Sequence, residues 1–575
     1  MSSSNPVRPF VLLLGAAMLA AGCRYGETTP VEINVVALND FHGNLLSSPF
    51  SYPDPQASGG EVTLKAGGIE ALSGLLGELR RDDPELLLVG AGDMVGGSPP
   101  LSAMWADEPS LKALGLLGLR FSTVGNHELD HGKGELLRQL EGGCDSPRPE
   151  RACQLDEHYQ GSKFSYIAAN LMDKASGTSL FPAYRIEQVR GAKVAFVGAV
   201  LEELDSTVSG TSMQGLYTID EADAINAQLP ELREQGVDAV IAIIHQGGET
   251  PEAFDKPDCS QLSGDVVEVV ERLDPQIKVV ITGHTHQGYL CRLGERLVTQ
   301  GSSYGRLVTH LKLTLDPRRR QLLDVQAHNL VVDPERYSAA ASPEIAELQR
   351  TLLQRSQARL DQPVARLGAR TFDRTLNDAG ESTLGRLIAN AQLAATRSLG
   401  AQVAFMNMGG LRTDLLLEDG QDQANYGQLA SIQPFNNTLT ILSLSGAQLS
   451  ELLEQQWQSG GLGFYPLQAS SSLSYQWDDS RPHGHKIVPQ SLMIEGLPVR
   501  AEGSYRVTVN SFLAEGGDNF SQLANAGERL DTGFNDLEAL VGYLQERDRA
   551  GSPAGAEEAR GRIHKVGASL SEGAQ

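Results

Sequence analysis

Five stretches of the chain set hard and borderline metal donors at the end of an apolar run. Asp40-Phe41-His42 follows VEINVVALN, Gly92-Asp93 follows ELLLVGA, and GNHELDHG (125–132) follows RFSTV. His245 closes VDAVIAII, and Gly283-His284-Thr285-His286 follows IKVVIT. Singly, each is a weak signal, because Asp-x-His fits a turn and His-x-His arises by chance. Taken in order, they supply Asp40, His42, Asp93, Asn126, His245, His284 and His286. Mixed imidazole and carboxylate donors suit Zn, Mn, Fe or Co, whereas an all-oxygen set suits Ca or Mg. Seven donors exceed what one tetrahedral ion takes and match two divalent ions sharing a bridging carboxylate. Five of the 12 histidines fall in these stretches. The other seven (His131, His158, His310, His328, His483, His485 and His564) are read as ordinary structural residues.

The elements that must position these donors are legible as hydrophobic periodicity. From Val31 to about residue 330, short β-type runs alternate with amphipathic helices. In GGIEALSGLLGELR, for example, Ile69, Leu72, Leu76 and Leu79 form one helical stripe. Alternating β and α elements indicate an α/β layer architecture, and ligands in such sheets gather at the carboxyl ends of strands. All five donor stretches lie at such ends. A chain of 575 residues exceeds one ordinary core, so at least two domains are expected. A polar helix-prone stretch at 342–362 reads as a connector between a first unit at 31–335 and a second α/β unit at 363–566. The final residues, KVGASLSEGAQ, read as disordered.

The net charge of −25 argues against binding a nucleic-acid polymer, which needs clustered Lys and Arg. It also repels anionic substrates unless bound cations reverse the local sign. At the N-terminus, Arg8 and FVLLLGAAMLAA form a targeting segment too short to span a bilayer. The run ends in LAAGC, which resembles a bacterial lipobox. That resemblance implies a signal peptide at 1–22 and lipid on Cys23, so the membrane is reached by a lipid anchor only. Arg24, rather than aspartate, then implies the outer membrane of an exported lipoprotein, facing the periplasm or cell surface. In an oxidising compartment the nearest-neighbour pairing is Cys144–Cys153 and Cys259–Cys291, one of three connectivities.

The second unit carries three Gly-rich segments: NMGGLR (407–412), PFNNT (434–438) and SFLAEGGDNF (511–520). Phe435 and Phe512 suit stacking on a flat base, Arg412 suits a phosphate, and Asp518 can accept hydrogen bonds from hydroxyls or ring nitrogens.

The ordered set D-x-H, G-D, G-N-H-E, H and G-H-x-H resembles the calcineurin-like metallophosphoesterases, and the second unit resembles the C-terminal domain of the 5'-nucleotidase family. The resemblance implies an αββα catalytic sandwich, a connector helix and a C-terminal nucleotide-binding domain. It implies that Asp40, His42 and His286 hold one ion, that Asn126, His245 and His284 hold the other, and that Asp93 bridges them. By the same resemblance His127 stabilises the transition state or protonates the leaving group. Asp130, three residues on, orients that ring and favours its protonated form. Glu128 is read as capping or solvating the turn. In the second domain the resemblance implies that Asn407, Gly410 and Arg412 line the nucleotide site, that Phe435 and Phe512 stack on the base, and that Asp518 contacts the nucleoside. The spacing before STLGRLIANAQ departs from the family, leaving Arg374 as the first phosphate-binding candidate and Arg370 as the second. The expected activity is metal-activated hydroxide attack on a nucleotide, releasing nucleoside and phosphate, by a monomer or weak dimer. Alternatives are a 2',3'-cyclic nucleotide phosphodiesterase or UDP-sugar hydrolase on the same site, and a nucleotide-binding lipoprotein without turnover. A sulfur-ester hydrolase of the same superfamily would be expected to lack the two phenylalanines.

Overall fold

A computed structural model describes Met1 and residues 30–53, 61–208, 210–435, 437–458 and 463–566. The signal-peptide and Cys23 expectations lie outside the described residues. The first unit is built on strands β1 (Val31–Leu38), β2 (Leu87–Ala91), β3 (Leu119–Thr123), β4 (Ser165–Ile167), β5 (Tyr184–Val189), β6 (Ala192–Val200) and β7 (Ala239–His245). It continues through β8 (Pro257–Cys259), β9 (Val279–Thr282), β10 (Gly288–Leu293), β11 (Arg296–Gly301), β12 (Leu307–Asp316) and β13 (Gln321–Val331). One sheet runs β13-β12-β1-β2-β3-β4 and the other β8-β10-β11-β9-β7-β6-β5.

Alternation along the strands decides how the sheets stack. Ile33, Val35, Ala37, Val89 and Phe121 of the first sheet share a core with Val194, Phe196, Ile241, Ile243 and Ile281 of the second. The opposite face of the first sheet, with Val36, Leu38 and Leu88, packs on helix α1 (Ile69–Asp82) through Ile69, Leu72, Leu75 and Leu76. The outer face of the second sheet takes Ile225, Leu229, Val266 and Val270 from three short helices. The result is an αββα sandwich, in which strands buried on both faces read as near-continuous apolar runs.

Parallel pairing aligns the carboxyl ends. Leu38 pairs with Gly90 and Ala91 with Thr123 in one sheet, and Ile244 with Thr282 in the other. The donor stretches therefore leave both sheets along one edge of the sandwich. Behind that edge, Cys144 is bonded to Cys153 and Cys259 to Cys291. The first of these loops is pinned by a buried ionic network. Arg138 Nη1 donates to Glu108 at 2.8 Å, Arg138 Nε to Glu135 at 2.9 Å, and Arg148 Nη1 to Asp107 at 3.1 Å. Each ion in it is paired, as burial requires.

The connector is helix α2 (Pro343–Leu360), started by Pro343 and by Ser342, whose hydroxyl accepts from the Ile345 N–H at 3.4 Å. Its Ile345, Leu348 and Leu352 are buried in the catalytic core, and Trp105 Nε1 donates to Ser356 at 3.2 Å. Beyond it, helix α3 (Thr383–Thr396) and strands β14 (Val403–Met406), β15 (Thr438–Ser445), β16 (Gln468–Ala469), β17 (Ser504–Asn510) and β18 (Arg529–Asn535) form the second unit. Its sheet order is β16-β14-β17-β15-β18. Lys565 and Val566, read above as the start of a disordered tail, close a short strand (Ile563–Val566). It pairs with Leu473–Asp478 and buries Ile563 against Tyr475. The remainder of the tail lies outside the described residues.

Candidate metal centre and the cleft above it

Each donor is placed by a turn that only a particular backbone allows. Asp40, His42, Asp93, His284 and His286 all adopt φ between 46° and 75°. Left-handed backbone at a non-glycine residue costs on the order of 1–3 kcal/mol and persists where surrounding structure enforces it. Here the enforcement is a ladder between loops: Asp40 N–H donates to Gly92 O at 3.1 Å and His42 N–H to Asp93 O at 2.8 Å. The His284 N–H meets the Asp40 carboxylate at 2.9 Å, tying the two sheets together.

The side chains then converge in two groups. His42 Nε2 lies 3.0 Å from His286 Nε2, which is 3.6 Å from Asp40 Oδ1. Asn126 Oδ1 lies 3.1 Å from both His245 Nε2 and His284 Nδ1. Asp93 joins the groups, its Oδ2 being 3.1 Å from His245 Nε2 and 3.5 Å from His42 Nε2. Tautomers are set from behind. His42 Nδ1 donates to Gly96 O and His245 Nδ1 to Ala91 O, both at 2.8 Å, so each Nε2 points bare into the cluster. Bare nitrogens and carboxylate oxygens this close repel one another unless a cation or proton lies between them. The donor set fits two borderline divalent cations, with Asp93 shared. None of the seven other histidines joins a cluster of candidate ligands among the described residues.

The electrostatics carry the same message. Burial, with Asp93 nearby, pushes the Asp40 carboxyl up to about 7 despite His245. Burial and the His245 charge push His284 down to about 3. Burial opposes charge on His245, yet Asp93 and Asp40 draw it up to about 10. A proton on His245 thus stands where a dication would serve both carboxylates better.

Glu128 departs from its reading as a residue that caps or solvates the turn. It is 3% exposed, and its carboxylate accepts N–H bonds from Asp93 at 2.9 Å, Met94 at 2.6 Å and Gly125 at 2.6 Å. Tyr166 Oη adds a fourth at 3.0 Å. The side chain turns inward because the loop carrying Asp93 leaves these backbone donors unpaired, and a buried N–H needs an acceptor. Glu128 therefore fixes the backbone on both sides of the Asp93–Asn126 contact.

His127 points away from the donor groups into the cleft. Its Nδ1 donates to Asp130 Oδ1 at 2.9 Å, and Asp130 Oδ2 is held by the Gly97 N–H at 2.8 Å. Burial disfavours charge on the ring, but Asp130 and Asp93 outweigh it and leave the His127 pKa raised.

The second unit closes over this edge. Arg412 Nη2 reaches 3.3 Å from His42 Nε2, and its buried Nε has no protein partner. The Phe435 ring stacks on His127, with centroids 5.4 Å apart and planes at 17°, and the Arg412 guanidinium lies 5.5 Å from its centre. Phe435 thus meets the catalytic domain, whereas Phe512 packs against Gly517, so this conformation does not bring the two rings into contact. Asn407 Nδ2 donates to Asp518 Oδ2 at 2.7 Å, and Gly410 is buried beside Asn407. Arg370 turns away to Asp419 at 2.9 Å, while Arg374 is held by Asp414 at 3.1 Å. Tyr304, Arg306 and Tyr465 were not singled out by sequence. Tyr304 stands edge-on to His286 at 5.4 Å and under the Arg306 guanidinium at 4.8 Å. The stretch GSSYGR follows the end of β11, the same signal that marks the donor loops.

Residues 33–288 match the calcineurin-like phosphoesterase family, and residues 357–525 match the 5'-nucleotidase C-terminal domain. The chain is 24% identical over 586 residues to a 5'-nucleotidase of Vibrio cholerae, covering 93% of this chain and 95% of that one. It is 29% identical over 546 residues to the endonuclease YhcR of Bacillus subtilis, covering 92% of this chain but spanning only 41% of that protein's length. The crystal structure of a 5'-nucleotidase precursor from Thermus thermophilus shares the fold, with a TM-score of 0.72 and 24% identity over 93% of this chain and 99% of that one.

The geometry sets an expectation for metal content. Asp93→Ala should leave about one divalent ion per chain or fewer by elemental analysis. Glu128→Gln keeps the shape but offers an amide to backbone donors, so Mn²⁺ affinity measured by calorimetry should fall about 10–100-fold. Unchanged affinity would show that the Glu128 bonds do not position Asp93.

Proposed function

The chain belongs to the 5'-nucleotidase family, whose catalytic domain is a calcineurin-like phosphoesterase and whose members are phosphoric ester hydrolases, and on that premise we propose that it hydrolyses nucleoside monophosphates to nucleoside and phosphate. One observation carries the reading. A guanidinium and an aromatic ring from the second domain arrive at 3.3 Å from His42 and stacked on His127, where a phosphate and a base would need them.

Each group has a part in this reading. Asp40, His42 and His286 would hold one divalent ion, Asn126, His245 and His284 the other, and Asp93 both. Such ions would supply positive charge for the phosphate oxygens and a water acidified toward neutral pH. Arg412 grips the phosphate from the opposite side with the Nε donor that no protein group uses. Local cations thereby overcome the repulsion expected of a chain with net charge −25. His127, kept protonated by Asp130, donates its proton to the departing ester oxygen. Phe435 and Phe512 face the base, while Asn407, Gly410 and Asp518 face the nucleoside.

A second reading, a UDP-sugar or 2',3'-cyclic nucleotide, draws on Arg306 and Arg374. These come from opposite domains, and Arg374 lies near enough to help push the Arg306 pKa down, after burial. Two guanidiniums so placed suit a second phosphoryl group. For location, we infer export and lipid attachment at Cys23, in keeping with the two bonded cysteine pairs. Among the described residues no helix is long and apolar enough to cross a membrane.

Assaying AMP, UDP-glucose and 2',3'-cyclic AMP side by side should rank AMP first. Phe435→Ala combined with Phe512→Ala should raise KM for AMP about tenfold or more, from the loss of base stacking, and spare a phenyl phosphate ester. Equal losses on both substrates would reject the stacking role. Palmitate labelling should mark the wild type and not Cys23→Ser, and an unlabelled wild type would exclude the anchor.

A further inference from the structure

The turn Gly517–Asn519 holds Asp518 at φ 54° and ψ 32°, a left-handed backbone that aims its carboxylate across the second domain toward Gly409. A directional chain of amides leads to it. Asn510 Oδ1 caps the Leu513 N–H at 2.8 Å, so its Nδ2 faces Asn407 Oδ1 at 3.0 Å. Asn407 is thereby left to present Nδ2 to Asp518 Oδ2 at 2.7 Å. No link in this chain can be reversed without setting donor against donor.

Tyr465 supplies the other support. Its hydroxyl oxygen accepts the Gly409 N–H at 2.8 Å, so its own proton is free to donate, and Asp518 is the acceptor. The three polar groups close around one point. A Cβ on Gly409 would lie 3.0 Å from Tyr465 Oη, 3.5 Å from Asp518 Oδ2 and 3.6 Å from Asn407 Nδ2. Glycine at 409 thus keeps open a small polar recess that a side chain would fill. Asp518 also lies within electrostatic reach of His127 and Arg412, which places the recess on the cleft.

A carboxylate has about four acceptor sites, and the protein donors here use about two of them. What it can still take is a donor. A sugar hydroxyl both donates to Asp518 and accepts from Tyr465 or Asn407, whereas a ring N–H only donates. We propose that Tyr465 is a positioning residue that holds Asp518 for the paired hydroxyls of a ribose, and so sets a preference for ribonucleotides over their deoxy counterparts. The proposal rests on the reading of the cleft as a nucleotide site.

The test is Tyr465→Phe, which removes one hydroxyl and keeps the ring, compared with wild type on AMP and on 2',3'-dideoxy-AMP. Losing a hydrogen bond to a charged partner should raise KM for AMP about tenfold, while KM for the dideoxy substrate moves less than about twofold. Asp518→Asn should show the same split. An equal rise on both substrates, or no rise on either, would overturn the positioning role. A rise that follows the base (AMP against CMP) rather than the sugar would give Asp518 to a ring N–H and overturn it too. A wild type inert on both nucleotides would instead remove the functional reading beneath it.

Discussion

The Asp93 carboxylate is the point on which the rest of the structure leans. It leaves the first sheet at φ 54°, is 1% exposed, and meets His245 of the second sheet at 3.1 Å. Its other oxygen accepts the His127 N–H at 2.9 Å. One side chain thus ties together both donor groups, both sheets and the residue read as the proton donor. Burying a charge and straining the backbone are each unfavourable. The offset is structural: Glu128 satisfies the Asp93, Met94 and Gly125 N–H groups, and the parallel strands of both sheets end level with one another. The αββα sandwich is, in this sense, a device for bringing two sheet edges to one carboxylate.

The second domain completes the site. The catalytic edge is rich in carboxylates and neutral imidazoles, whereas the face that covers it brings Arg412, Arg374 and Phe435. The connector α2 is embedded in the catalytic core through Ile345, Leu348 and Leu352, so the cover is anchored at its root. Where the domains touch, a Phe ring lies on His127 and a guanidinium on His42, and Glu515 accepts the Gly210 N–H at 2.7 Å. A strongly acidic protein can then handle an anionic ester because positive charge is concentrated where the ester bond is cut.

Much of this was legible in sequence, for definite reasons. Asp40, His42, Asp93, Asn126, His245, His284 and His286 each follow an apolar run, and parallel strands place run ends on one edge whatever the intervening helices do. His127 and Asp130 are three residues apart, close enough for local geometry to join them. What escaped depended on long-range backbone partners. Glu128 looked like a surface residue because two of its donors, the Asp93 and Met94 N–H groups, lie 35 and 34 positions away. Tyr465 sits in a loop with no periodic signal, and its partners Gly409 and Asp518 come together only when β14 and β17 pair in parallel. The stacking of Phe435 on His127 depends on how two domains dock, which neither segment encodes alone.

The central claim is that Asp93 bridges two divalent ions. Crystals grown with Mn²⁺ and measured at the manganese absorption edge test it directly. The account predicts two anomalous peaks about 3.5–4 Å apart, one against Asp40, His42 and His286, the other against Asn126, His245 and His284, with Asp93 between them. A single peak, or two peaks that do not share Asp93, would contradict it.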